Sequence, residues 1–205
     1  MKIAVFMGGT SSEKEISLKS GEAVLESLKR QGYNAYGVVL DETNQVTAFL
    51  ENDYDLAYLV LHGGNGENGK IQAVLDILGK KYTGSGVLAS ALTMDKNKTK
   101  QIAENIGIRV PKSYRDLESI ERFPVIIKPV DEGSSKGLFL CNNKEEAGEA
   151  LKKLKKPIIE DYIVGEELTV GVLNGKALGV LKIIPQADVL YDYDSKYAKG
   201  GSIHE

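Results

Sequence analysis

Lys2-Ile3-Ala4-Val5-Phe6-Met7-Gly8-Gly9-Thr10-Ser11-Ser12-Glu13-Lys14-Glu15-Ile16 opens the chain, and its reading decides the fold. A short apolar run, Lys2–Met7, breaks at Gly8-Gly9-Thr10. It passes into a stretch where Ile16, Ala23, Val24 and Leu28 keep one helical face as far as Gly32. Tyr33–Leu40 reads as the next strand and Leu56–Leu61 as a buried one. A glycine-rich loop, His62–Gly69, then leads to a helix over Ile71–Leu78 stopped by Gly79. Strands alternating with helices predict a parallel sheet, because each crossover helix returns the chain to the same end of the sheet.

After Tyr82-Thr83-Gly84-Ser85-Gly86 come two helical stretches, Val87–Met94 and Asp95–Asn105, and beyond Gly107 the pattern changes. Pro124–Lys128 and Leu138–Cys141 read as strands around the polar segment Val130–Gly137. A charged helix Lys144–Lys155 and a strand Pro157–Tyr162 follow. Glu167–Leu173 and Lys176–Ile184 flank Asn174-Gly175, a dipeptide suited to the positive φ angles of a tight antiparallel hairpin. The second half is therefore expected to be α+β and largely antiparallel. The predicted division is 1–94, 95–185 and a tail 186–205.

Composition excludes several classes. The 205 residues, 42% hydrophobic and 27% charged, suit a globular protein with two small cores. No run approaches the roughly 20 apolar residues that span a bilayer, and the N-terminal apolar run is too short for a secretory signal. A cytosolic setting is expected. Interspersed charges with a net of -3 give no general attraction to nucleic acid or anionic lipid. The single cysteine, Cys141, lies in an apolar stretch and reads as a packed thiol.

Several stretches carry chemistry. The Gly8–Glu13 turn joins strand to helix and aims backbone N–H groups and the helix dipole at an anion, yet it reads equally as a Ser- or Thr-capped helix start. Glu13 is a candidate for holding an ammonium group. His62 stands at the C-terminal end of a strand, where open α/β sheets bind ligands. A lone histidine is usually structural, but there it could donate to a carboxylate or acyl phosphate. In Lys128-Pro129-Val130-Asp131-Glu132-Gly133-Ser134-Ser135-Lys136-Gly137, two strands flank a loop rich in N–H and O–H donors, with a lysine on the preceding strand. That pattern reads as a flap over phosphates, the plainer alternative being a polar hairpin. Glu160, Ile163 and Glu167 surround an apolar turn that suits a nucleoside, although carboxylates around a turn are more often merely solvated. The tail Tyr191–Gly201 reads as a long lid-like loop or a loose end.

Taken together these stretches resemble the D-alanine–D-alanine ligases of the ATP-grasp superfamily. The matching stretches, in order, are Met7–Ser17, Leu61-His62-Gly63 with Gly66–Gly69, Tyr82–Gly86 through Met94-Asp95-Lys96, Lys128-Pro129 with Glu132–Ser135, and Tyr191–Tyr193 with Lys196-Tyr197. The resemblance implies a Rossmann-like, pre-ATP-grasp N-terminal domain, then an ATP-grasp central domain with an antiparallel sheet. It implies that Lys96 and Lys128 neutralise ATP phosphates, that the flap with Glu132, Gly133, Ser134 and Ser135 covers them, that Glu160 and Ile163 meet adenine, and that Glu167 holds the ribose. Glu13 would anchor the ammonium of the first D-alanine in contact with Ser134 and Tyr197, His62 would sit near the reacting carboxyl, and Lys196 near the transferred phosphate. The implied partners are ATP, Mg2+ or Mn2+, D-alanine and a second copy in a homodimer. The family pattern associates tyrosine, rather than phenylalanine, at the position of Tyr197 with an amine second substrate over a hydroxy acid, so the resemblance favours a dipeptide product over D-alanyl-D-lactate.

The family pattern continues past Glu205 into a further domain with magnesium ligands and an arginine at the reaction centre. Arg30, Arg109, Arg115 and Arg122 match no such position. The expectation is that this chain represents the N-terminal two-thirds of such an enzyme and is catalytically incomplete alone. The competing readings are another ATP-grasp carboxylate–amine ligase and a nucleotide-binding module without turnover.

Overall fold

The computed structural model describes residues 1–185 and 202–204. The chain packs as two compact units, Met1–Asn105 and Ile106–Glu205, so the helix Lys96–Asn105 groups with the first.

In the first unit, strands β1 (Lys2–Gly8), β2 (Asn34–Leu40), β3 (Leu56–Leu59) and β4 (Lys81–Tyr82) form a sheet of order β2-β1-β3-β4. Every pairing in it is parallel. Strand β1 must be central, because its alternate side chains feed two cores. Ala4 and Phe6 join Leu40, Phe49, Tyr54, Ala57, Ile71 and Leu75. Ile3, Val5 and Met7 face Leu18, Val24, Leu25 and Leu28 of helix α1 (Lys14–Arg30). That helix lies close on the sheet at Gly21, where an added Cβ would stand 2.5 Å from the Met7 Cβ. The helices α2 (Thr47–Glu51), α3 (Gly64–Glu67), α4 (Lys70–Ile77), α5 (Val87–Met94) and α6 (Lys96–Asn105) complete the unit.

Two details depart from the sequence reading. Strand β3 stops at Leu59, and the His62–Gly69 loop contains a single helical turn, α3, although glycine is among the poorest helix formers. The turn survives because tertiary contacts hold it.

In the second unit, β5 (Ser113–Tyr114), β6 (Val125–Pro129), β7 (Phe139–Cys141) and β8 (Pro157–Asp161) form an antiparallel sheet of order β5-β8-β6-β7. Helix α7 (Lys144–Lys153) is capped by Asn143, whose side chain accepts from the Glu146 N–H, and it ends two residues short of the sequence reading. Its Ala147 and Ala150 pack on Tyr114, Val125, Ile127, Cys141 and Ile159. Cys141 is therefore a core residue, and burial pushes its thiol pKa up. A second sheet runs β11-β10-β9, with β9 (Glu167–Leu173), β10 (Lys176–Pro185) and β11 (Ser202–His204). Asn174 and Gly175 take the expected positive φ values, 50° and 74°, and Leu173 pairs with Lys176. Every residue of β9 is exposed.

Candidate functional site

In the first unit, the candidate residues gather where β1 and β3 end. Ser17 on α1 ties these ends together: its hydroxyl accepts from the Gly8 N–H (2.8 Å) and donates to the Val60 carbonyl (2.6 Å). Glu13 sits at the start of α1 with 6% of its surface exposed. Its backbone N–H donates to the Ser11 hydroxyl (3.1 Å), which itself donates to the His62 carbonyl. That bond lies in the turn ahead of the helix, whose start at Glu13 has no side-chain cap, so the expected Ser or Thr cap is not what the turn provides; it encloses a carboxylate. Gly63, at φ 65°, passes so close that an added Cβ would lie 2.7 Å from Glu13 Oε2. Residue and conformation both demand glycine there.

His62 lines a cavity of about 10 Å3, the size of one water, and its Nε2 is buried without a protein hydrogen-bond partner. A polar group arriving from outside would satisfy that atom. Sequence reasoning passed over three neighbours. The Glu67 stem is exposed, but its carboxyl turns in toward the Gly63 N–H. Burial pushes its pKa up, the Gly63 hydrogen bond opposes this, and nearby Glu13 adds to the rise. Asn65 donates to Gln45 (2.7 Å), and Gln72 on α4 donates to the Gly66 carbonyl (2.8 Å). Gln72 stands beside Ile71 on an apolar face, and a polar residue in that phase was the available signal.

Lys96 begins α6, whose N-terminus is capped by Asp95 accepting from the Lys98 N–H (3.1 Å). A cation in a first helical turn opposes the macrodipole, so its placement is better suited to an anion than to helix stability.

The second unit brings Lys128 and Glu160 together. In the β6–β8 register Ile126 faces Glu160 and Lys128 faces Ile158, so the two charged side chains share one face as diagonal neighbours. They pair at 2.6 Å, with the glutamate side chain 4% exposed and the lysine 26%. The sequence reading gave these residues separate parts of a nucleotide; without one, they hold each other. The strand β6 leads into the Glu132–Gly137 loop, where Ser134 and Ser135 adopt left-handed φ values of 51° and 56°. For non-glycine residues this conformation is strained, at about 1–2 kcal/mol each, and such strain gathers at ligand-binding segments. The loop closes on itself through Lys136 N–H to Gly133 C=O (3.1 Å) and Leu138 N–H to Ser135 C=O (3.2 Å).

Next to Glu160, Asp161 turns to the opposite face. It accepts from Tyr114 Oη (2.7 Å) and from Arg122, through Nε (3.2 Å) and Nη2. The Arg122 contact holds the Asp161 carboxyl below its usual range, against its burial. Ile163 is 59% exposed and Glu167 begins β9, also exposed. Lys196 and Tyr197 lie outside the described residues. Among the described residues no three His, Cys, Asp or Glu side chains converge as a metal-binding group, and no helix is long and apolar enough to cross a membrane.

Known proteins match this chain along its full length. Residues 39–85 match the family profile described as D-ala D-ala ligase N-terminus, and residues 88–204 that described as D-ala D-ala ligase C-terminus. A D-alanine--D-alanine ligase of Fusobacterium nucleatum is 88% identical over 205 residues, covering all of this chain and 71% of that protein. One from Aquifex aeolicus is 43% identical, covering 98% of this chain and 72% of its own length. Among solved structures, the Bacillus anthracis D-alanine--D-alanine ligase superposes with a TM-score of 0.83 at 34% identity, over all of this chain and 71% of that one. Its complex with ATP gives 0.80 at 33%, over all of this chain and 70% of that one.

Proposed function

The chain belongs to the D-alanine–D-alanine ligase family, and from that premise we propose that it serves the ATP-dependent joining of two D-alanines for peptidoglycan precursor synthesis in the cytosol. The observation that carries this reading is the Lys128–Glu160 pair at the root of a serine-rich loop in left-handed conformation. A cation, a buried acid and a loop rich in N–H and O–H groups together suit a nucleoside phosphate.

The reaction has two steps. A D-alanine carboxylate oxygen attacks the γ-phosphorus of ATP; the O–P bond to ADP breaks and an acyl phosphate forms. The amine of the second D-alanine, having lost its ammonium proton, attacks the acyl carbon and inorganic phosphate leaves. The protein's part is positioning and charge neutralisation. Lys96 and Lys128 take the phosphates, while Glu132, Gly133, Ser134 and Ser135 cover them. Glu160 and Ile163 meet adenine, and Glu167 accepts from the ribose hydroxyls. Glu13 holds the ammonium of the first D-alanine, with His62 beside its carboxyl. Lys196 and Tyr197 act at the transferred phosphate and the amine side. Magnesium, when bound, would neutralise phosphate charge; among the described residues no complete ligand set for it converges. A homodimer completes the proposal.

The test is calorimetric. The affinity of the purified chain for a non-hydrolysable ATP analogue is measured with and without D-alanine, using L-alanine as control. D-alanine should tighten nucleotide binding. Equal affinity in all three conditions would sink the ligase reading and leave a nucleotide-binding module.

A further inference from the structure

Helix α4 buries Ile71, Gln72 and Leu75. Two of these are apolar and belong to the core beneath the sheet, whereas Gln72, only 6% exposed, brings an amide into the same surroundings. Burying an amide is unfavourable unless both its ends find partners. Here only one does: Nε2 donates to the Gly66 carbonyl at 2.8 Å, and Oε1 is buried without a protein donor. A leucine or methionine of similar volume would suit the core better, so core stability does not account for the glutamine.

What its hydrogen bond does is local. Gly66 is the third residue of α3, the single turn that carries Glu67 and follows His62. That turn's internal support includes Gly66 N–H to Gly63 C=O (3.1 Å), Asn68 N–H to Gly64 C=O (3.1 Å) and the Gly63 N–H to the Glu67 carboxylate, in a glycine-rich sequence that favours neither helix nor order. Ser11 reaches the His62 carbonyl, Gln45 accepts from Asn65, and Gln72 holds Gly66 from beneath.

We infer that Gln72 is a positioning residue: its amide fixes the Gly63–Gly69 turn, and through it the orientation of His62 and the Glu13-facing backbone of Gly63, at the expense of an unpaired buried oxygen. The functional half of this inference rests on the D-alanine reading of the site; the structural half does not.

The discriminating variant is Gln72→Met, which keeps length and volume and removes both amide ends. Gln72→Glu keeps length and, when measured at a pH where its carboxyl is ionised, keeps the acceptor but removes the donor. Amide hydrogen exchange at Gly66 and Asn68, the His62 ring signals by NMR, melting temperature and D-alanine affinity are measured on the whole chain. In Gln72→Met, exchange at Gly66 and Asn68 should accelerate at least tenfold, with the His62 signals shifted and the melting temperature unchanged or raised. D-alanine affinity should fall about tenfold. Gln72→Glu should show the same faster exchange. Unchanged exchange at both amides overturns the inference. So does a lowered melting temperature with exchange accelerated evenly through the first unit, which would make Gln72 an ordinary core residue. Wild-type protein that fails to bind D-alanine counts against the ligase reading instead, and the exchange data then decide Gln72's role alone.

Discussion

The molecule holds two glycine-containing stretches among its candidate site residues, and their backbones are shaped differently. The Gly63–Gly69 turn of the first unit is pinned from outside by Ser11, Gln45 and Gln72, and its glycines supply the φ values and the clearance it needs. The Glu132–Gly137 loop of the second unit closes through its own backbone, and holds two serines in a conformation they resist. The first arrangement fixes a small site around a carboxylate. The second holds left-handed strain at Ser134 and Ser135, which a bound ligand would help to offset. The lesson is that glycine content alone does not say whether a loop is rigid or poised; the side chains that reach into it do.

The largest test of this contrast lies at the base of the second loop. Lys128→Met removes a cationic partner of a buried glutamate, and chemical denaturation should show a loss of up to about 3 kcal/mol, with nucleotide binding strongly weakened. A stable variant would mean that Glu160 finds other support and that the loop does not depend on its root. In the first loop, Gly63→Ala places a Cβ against Glu13 and a non-glycine at positive φ. A loss of about 2 kcal/mol is expected from urea melts, together with weaker D-alanine binding. The reverse sign is expected from Ser134→Gly with Ser135→Gly, which relieves left-handed strain. A gain of about 1 kcal/mol should appear in the same assay, while nucleotide binding weakens as the hydroxyl donors are lost. Destabilisation by the double glycine variant would break the comparison.

The smallest effect is one of pH. Burial raises the Glu67 pKa in the folded state, so the fold binds its proton more tightly than the unfolded chain does. Its contribution favours folding below the ordinary glutamate range and is lost as pH rises through the folded pKa. Glu67→Gln should therefore match wild type at low pH and exceed it at neutral pH in parallel melts. Asp161 has the opposite sign: with its pKa lowered by Arg122, its support is present at neutral pH and disappears as pH falls through the folded value.

Much of the framework could be read from particular residues. The apolar run ending at Gly8-Gly9, the helical phase of Ile16, Val24 and Leu28, and the Asn174-Gly175 turn are all local signals, and each element appears where its pattern placed it. Less legible were features set by distant partners. The pairing of Lys128 with Glu160 depends on the antiparallel register of β6 and β8, which no local pattern encodes. The Tyr114–Asp161–Arg122 cluster likewise joins residues up to 47 positions apart. The helical turn in Gly64–Glu67 contradicts propensity and exists through contacts from other elements. Candidate residues at the strand ends were visible as types in a sequence order; the side chains that hold them were not.

The Lys128–Glu160 contact has a consequence for how nucleotide would arrive. With the ammonium already 2.6 Å from a carboxylate, capture of a phosphate is an exchange of one anion for another and not the filling of a waiting charge. Fewer small ions are displaced from such a site than from a solvated lysine. Raising ionic strength should therefore weaken nucleotide affinity less than the charge of the ligand alone would suggest.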